Sequence, residues 1–371
     1  MDQMKRFIDI LVPIYTCNFK CDYCYISHNA PQHSDGKPFK YSPETIGRAF
    51  SADRLGGVCL VNMCGVGETL IPNEIIEITR QILMQRHYVW IVTNGTLTKR
   101  FNQFANFPAE LRKRLGFKMS FHYLELIEHG LLDCFFDNVK IVKNAHMSFS
   151  VEVTANDEAE SHISEILELT KSKLGHYCHI SLPRDEKDPD YTLMSKHSLE
   201  KFHRIWGVFD SPMLDFKVST WMQKRKEYCY AGAWTYLLSL ETGVLSTCYG
   251  QIYGQDFFDL SKPIRDIPVG HHCKQSHCFN GHAFLALGDV LEVKGITYTD
   301  IRNRVASDES NWLTPEMKAF CSQRLQEGNK IFSNREKMWL ELRKPFFIRS
   351  DFKNKVIKRI KNICFKRKTR K

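Results

Sequence analysis

The stretch FIDILVPIYTCNFKCDYC, residues 7–24, runs from a strand-like apolar segment straight into three cysteines. Phe7–Tyr15 is too short to span a membrane and carries Asp9. No small-residue cleavage site follows, so it reads as a strand and not as a signal peptide. Cys17, Cys21 and Cys24 then have the spacing C-x3-C-x2-C, on the loop at that strand's carboxyl end. Three thiolates on so short a loop can wrap one metal centre. They satisfy three irons of a four-iron cube and leave the fourth open. Soft thiolates select iron–sulfur clusters or zinc over hard ions, and structural zinc usually takes paired C-x2-C knuckles.

Working outward, short β-rich runs alternate with helical patterns. Strands are expected at Phe7–Tyr15, Val58–Met63, Tyr88–Thr93, Phe117–His122, Ser148–Thr154 and His179–Leu182. Ser42-Pro43 opens one helix with a cap residue and a helix-starting proline. A second helix follows Pro72-Asn73, with Ile75, Ile76, Ile78, Ile82 and Leu83 at helical spacing, and Glu158–Leu174 is a third. Strand–helix alternation implies right-handed crossovers around a parallel sheet, whose ligands sit at the strands' carboxyl ends. Trp234–Leu240 and Val244–Cys248 read as a hairpin about Glu241-Thr242-Gly243, and Pro315–Leu342 as mostly helical.

The cysteine loop resembles the cluster motif of the radical SAM superfamily, with Tyr23 at that motif's aromatic position. The resemblance implies an α/β fold: a partial (β/α)6 barrel over residues 1–190. It also implies a [4Fe–4S] cluster whose open iron is chelated by S-adenosylmethionine. Cys64-Gly-Val-Gly67-Glu68-Thr-Leu70 is similar to the family's Gly-Gly-Glu motif, although Val66 interrupts the glycines. It makes Gly67 and Glu68 cofactor contacts, with the carboxylate on the methionine ammonium. Tyr23, Asn94 of Thr93-Asn94-Gly95, Ser120 and Thr154 complete the expected cofactor site.

A second group of cysteines lies beyond the barrel. Cys229 is followed by thirteen residues, Gly243, four residues and Cys248; Cys273 and Cys278 come later, four residues apart. The spacing resembles the SPASM and twitch extensions of radical SAM enzymes. It implies a small hairpin domain over residues 191–290 that holds an auxiliary [4Fe–4S] cluster on Cys229, Cys248, Cys273 and Cys278. A four-thiolate zinc site is the rival reading. His271, His272, His277 and His282 crowd the same stretch as hydrogen-bonding or solvated side chains.

Composition excludes little else. The chain has 371 residues, 43% hydrophobic and 25% charged, as in ordinary globular proteins. Thirteen cysteines without an export signal favour metal or redox chemistry over disulfides. The net charge of +10 sits entirely in residues 352–371, which hold ten Lys/Arg and no acid. Regions 291–350 and 351–371 are expected to be a helical C-terminus and a basic amphipathic tail. The tail suits an anionic membrane surface, and no nucleic-acid partner is expected. A cytoplasmic protein results, with the tail as a peripheral contact at the inner face of the membrane.

The resemblance implies one-electron reduction of the first cluster by a reductase, flavodoxin or ferredoxin. Cleavage of S-adenosylmethionine to a 5′-deoxyadenosyl radical follows, then removal of a substrate hydrogen atom. Four-thiolate ligation of the auxiliary cluster suits electron acceptance, giving an oxidoreductase. Cys17 leaves no room for a leader-recognition module, which favours dehydrogenation of a small or sugar-like substrate. A peptide maturase and a non-catalytic metal-stabilised membrane-surface protein are the alternatives. His122 and Asp185 are candidate bases, and Arg184 a candidate anion clamp.

Overall fold

The computed structural model describes residues 2–24 and 39–345. The basic tail therefore lies outside the described residues. Six parallel strands form the expected open sheet: β1 (Arg6–Val12), β2 (Cys59–Gly65), β3 (Tyr88–Thr93), β4 (Leu115–Ser120), β5 (Ser148–Thr154) and β6 (His179–Ser181). Their spatial order is β6-β5-β4-β3-β2-β1, with β6 and β1 unpaired to each other, so the barrel stays open. The strands are buried apolar runs, as a sheet covered on both faces requires. Helix Pro43–Ala49 starts as its sequence dictates, with Ser42 Oγ accepting from the Thr45 N–H and proline in the first turn. Helix Glu74–Met84 buries Ile75, Ile78, Ile82 and Leu83 against the sheet. Ile163–Leu174 is led by a 3-10 turn at Ala159–His162 and ended by Gly175 at φ 76°.

The hairpin is not a separate sheet. Strand β7 (Thr235–Ser239) pairs in parallel with the outer edge of β1, from Phe7↔Thr235 to Leu11↔Ser239. Strands β8 (Val244–Cys248) and β9 (Gln251–Asp256) continue it antiparallel, giving nine strands in one sheet. An edge of β1 left bare would expose a row of unpaired N–H and C=O groups, and β7 supplies their partners. The β9 sequence QIYGQD is too polar to read as a strand by itself.

The region 291–350 also differs from a plain helical appendage. Helices occupy Pro315–Cys321, Leu325–Gly328 and 334–345, but 291–313 is irregular and packs under the strand starts. Tyr88 at the start of β3 stacks on Phe320 at 3.9 Å. Phe149 in β5 stacks on Trp312 at 5.2 Å, and its N–H donates to the Trp312 carbonyl. Trp312 Nε1–H reaches the Leu174 carbonyl at 3.3 Å. This segment closes the amino-terminal end of the sheet and leaves the carboxyl end for the site. Trp312, 2% exposed, is part of the barrel core. Trp312→Ala is therefore expected to cost about 3–5 kcal/mol, read as a lower denaturant midpoint than the parent chain's.

Candidate active site

A cavity of about 260 Å³ opens at the carboxyl ends of β1–β6. Cys17, Cys21 and Cys24 line it on one side, and Gly67, Glu68, Thr93, Asn94, Ser120 and Thr154 line it on the others. Tyr23 and His122 also face it. Cys21 and Cys24 are held by a tight turn in which the Cys24 N–H donates to the Cys21 carbonyl at 3.0 Å, and Cys17 Sγ accepts from the Phe19 N–H at 3.5 Å. Burial pushes the Cys17 thiol up to about 11 and the Cys21 thiol higher still. Both are thus protonated at neutral pH until a metal displaces the proton. Among the described residues, no three cysteine sulfurs lie within 4.8 Å of one another.

Glu68 is 3% exposed, and its carboxylate is held by three donors. Oε1 accepts from the Leu70 N–H at 2.9 Å and from Thr93 Oγ1 at 2.7 Å; Oε2 accepts from the Asn94 N–H at 2.7 Å. Burial still leaves its pKa above the ordinary value, so the site favours a cationic partner. Gly67 is required by space: a Cβ there would sit 2.1 Å from the Thr16 carbonyl oxygen. That close approach lets the Glu68 N–H donate to Thr16 O at 2.9 Å, tying the Gly-Glu loop to the cysteine loop.

Asn94 does more than face the cavity. Its Nδ2 donates to Asn18 Oδ1 at 2.7 Å, bracing the cysteine loop against the end of β3. Tyr23 O–H lies 2.7 Å from His122 Nδ1. Burial drives His122 down to about 4 and raises Tyr23 well above its ordinary value, so the contact joins a neutral ring to a neutral phenol. The contact ties His122, at the end of β4, to the cysteine loop. Asp185 does not line the cavity: its Oδ1 caps the Lys187 N–H at 2.8 Å in a turn. The candidate role of Asp185 as a base is corrected on that ground. The neighbouring Arg184 does line the cavity, paired with Glu186 at 2.6 Å.

Sequence reading missed a polar layer deeper in the barrel. Asp9, Asn62, Lys118 and Glu152 project inward from β1, β2, β4 and β5, joined by Lys217, His282 and Arg302. Asp9, Asn62 and Lys118 were visible as polar side chains inside apolar runs, which a doubly covered strand does not otherwise tolerate, and Glu152 as the one charged residue of its strand.

The second cysteine group also converges. Cys229, Cys248, Cys273 and Cys278 all line one cavity of about 60 Å³. Burial pushes Cys229 and Cys278 upward, and neighbouring cysteines add to the shift. Asp289, also in that lining, is pushed up to about 8 by burial and accepts from Thr235 Oγ1. His277 lines this cavity, whereas His282 lines the first. Tyr249 and Asn280 line both cavities, so the two sites share a wall.

Residues 11–170 match the Radical SAM superfamily. The chain carries a radical SAM domain. Streptococcus suis SuiB bound to S-adenosylmethionine has a TM-score of 0.50 and 13% identity, over 69% of this chain and 64% of SuiB. The chain thus spans less than two thirds of SuiB. Native anSMEcpe with bound AdoMet gives 0.48 and 14%, over 68% of this chain and 79% of the other. BtrN in complex with AdoMet and 2-DOIA gives 0.31 and 12%, over 89% and 92%. At such identities the likeness to SuiB shows the fold. No curated protein sequence matches.

Radical SAM enzymes use a [4Fe–4S] cluster and S-adenosylmethionine, and the residues around the first cavity fit both. Three thiols on one loop suit the cluster, and a buried carboxylate suits the methionine ammonium. The four cysteines of the second cavity fit an auxiliary cluster. Among the described residues no helix is long and apolar enough to cross a membrane. Glu68→Gln removes the charge and places an amide where three groups already donate. Affinity for S-adenosylmethionine is expected to fall roughly 10- to 150-fold, the loss of a charge-assisted contact worth about 1.5–3 kcal/mol. Equilibrium binding to the reconstituted protein measures it.

Proposed function

We propose that this radical SAM protein is an oxidoreductase that dehydrogenates a small or sugar-like substrate. Cys17, Cys21 and Cys24 hold the catalytic cluster, and Glu68 orients S-adenosylmethionine through its ammonium. Ser120, Thr154 and Asn94 offer hydrogen bonds to the rest of the cofactor. Cys229, Cys248, Cys273 and Cys278 hold the auxiliary cluster. Bound together, the first cluster and S-adenosylmethionine supply a 5′-deoxyadenosyl radical that takes one hydrogen atom from a substrate carbon. The electron and proton that remain must then leave the substrate. One observation carries the reading: Tyr249 and Asn280 line both cavities, so an electron acceptor would stand beside the substrate.

The domain supplies the rest by exclusion and positioning. The cavity is walled by the sheet on one side and by the Gly281–Leu287 helix on the other, and that helix buries Ala283, Phe284, Leu285, Ala286 and Leu287. Such walls keep a reactive radical away from solvent.

Anaerobic reconstitution is expected to give about eight iron and eight sulfide per chain. Changing Cys17, Cys21 and Cys24 together to Ala should leave about four of each, on the second site. A parent value near four under saturating iron and sulfide would remove the auxiliary cluster. With dithionite, the reconstituted protein should slowly form 5′-deoxyadenosine from S-adenosylmethionine; no turnover under those conditions would overturn the enzyme assignment.

A further inference from the structure

The deep layer of the first cavity holds more positive charge than its own acids balance. Lys118 on β4 is 4% exposed and Lys217, on helix Pro212–Thr220, is 7% exposed, yet both line the cavity. An ammonium carries three donors. Lys217 Nζ has one acceptor, Ser181 Oγ at 2.8 Å. Lys118 Nζ has no hydrogen-bond acceptor among the described residues; it rests over the Tyr298 ring, 5.3 Å from its centroid. Arg302, 1% exposed, pairs with Glu152 at 2.6 Å, and its guanidinium lies over the same Tyr298 ring.

The acids are fewer and already engaged. Glu152 faces Arg302, Lys118 and Lys217, which together hold it below its ordinary value against the effect of burial, and Asp9 also faces Lys118. Asp9, the other acid of this layer, accepts from Asn62 Nδ2 at 2.7 Å and from Tyr249 O–H at 2.9 Å. Three cations thus face two carboxylates. Arg184 is set aside because Glu186 matches it. His282 adds no negative charge. It stands within the fields of Lys217, Arg302, Lys118 and Arg184, and it is driven well below its ordinary value by burial and by those cations. Its Nδ1 is buried without a partner. Burial, and the repulsion of Arg302 or Arg184, bring Lys118 and Lys217 down to about 7. A buried cation short of acceptors is costly unless an anion completes it.

We propose that the substrate carries an anionic group, a carboxylate or a phosphate, seated in this layer against Lys118 and Lys217. The proposal rests on the reading of this cavity as the substrate chamber of a radical SAM enzyme. The layer is distinct from the cofactor contacts. Lys118 and Glu152 stand two residues before Ser120 and Thr154 on the same strand faces, about 6.6 Å deeper at about 3.3 Å per residue. An anion there supplies the missing acceptors of both ammonium groups and restores their full charge. Glu152 and Arg302, paired at 2.6 Å, then act as positioning residues whose charges face both lysines.

The test is calorimetric titration of the reconstituted full-length chain with saturating S-adenosylmethionine present. The probes are inorganic phosphate, acetate and acetamide, the neutral isostere of acetate. One anion site per chain is expected, with no heat from acetamide. Phosphate alone binding assigns a phosphorylated substrate; acetate alone, or both, assigns a carboxylate-tolerant site. Lys217→Met and Lys118→Met should each weaken the anion about tenfold or more, and Lys217→Arg should weaken it less than Lys217→Met does. Acetate binding no better than acetamide, with phosphate silent, overturns the proposal and needs no variant to do so. Unchanged affinity in both methionine variants also overturns it, because the anion then sits elsewhere, as on the basic tail. Displacement of the anion by S-adenosylmethionine overturns it too, since the lysines would then serve the cofactor carboxylate. 5′-Deoxyadenosine formation is assayed on the same preparation. Turnover without anion binding sinks this proposal alone, whereas anion binding without turnover sinks the enzyme reading alone.

Discussion

Strand β1 is hydrogen-bonded along both edges, to β2 on one side and β7 on the other, and the rest of the molecule is arranged around that double pairing. Its carboxyl end delivers Cys17, Cys21 and Cys24. Its middle delivers Asp9 to the cavity floor. Through β7 and β8 it also brings Cys248, at the end of β8, into reach of Cys229, Cys273 and Cys278. Had the hairpin formed a sheet of its own, the two cavities would have no reason to share Tyr249 and Asn280. A register slip of one residue between β1 and β7 would turn each hairpin side chain to the other face. The distance between the two cysteine sites is therefore a property of backbone pairing.

The loops at the strand ends are braced to one another by polar contacts. Glu68 is clamped by Thr93 and by the backbone of Leu70 and Asn94, and Asn94 in turn holds Asn18 between Cys17 and Phe19. The Glu68 contacts are buried, where a hydrogen bond left unmade is expensive. Together these contacts make the cysteine loop, the Gly-Glu loop and the end of β3 one rigid rim. The amino-terminal end is closed differently, by Trp312, Phe320 and the irregular chain around them. Stability is concentrated below and chemistry above, the division that parallel sheets with strand-end sites commonly show.

Buried charge is the recurring cost of this design. Asp9, Lys118, Glu152, Lys217 and Arg302 all sit in a barrel interior that would pack more easily with apolar side chains. Arg302 and Glu152 offset each other, while the lysines are only partly met. A cavity kept polar at such expense is shaped for an occupant that returns the interactions. The same reasoning separates the two cavities, because the second is lined largely by apolar groups and cysteines and holds a single acid, Asp289, which its burial keeps protonated.

Local chemistry alone determined the strand–helix alternation, the cap at Ser42, the cysteine loop after β1 and the Gly67-Glu68 turn after β2. Those signals depend on residues close together in the chain, where periodicity, capping and ligand spacing act directly. Cys229, Cys248, Cys273 and Cys278 were legible as a group by spacing, although their shared cavity needed the fold to bring a loop back onto the hairpin. Tertiary structure alone decided that β7 extends the main sheet, that polar β9 is a strand, and that residues 291–313 close the barrel from below. It also decided that Asp185 belongs to a turn while Lys118, Lys217 and Arg302 meet in one chamber. Those three come from a strand, a helix and an irregular segment nearly two hundred residues apart. No local preference encodes their meeting; it follows from packing, which places side chains by the sum of contacts over the whole chain.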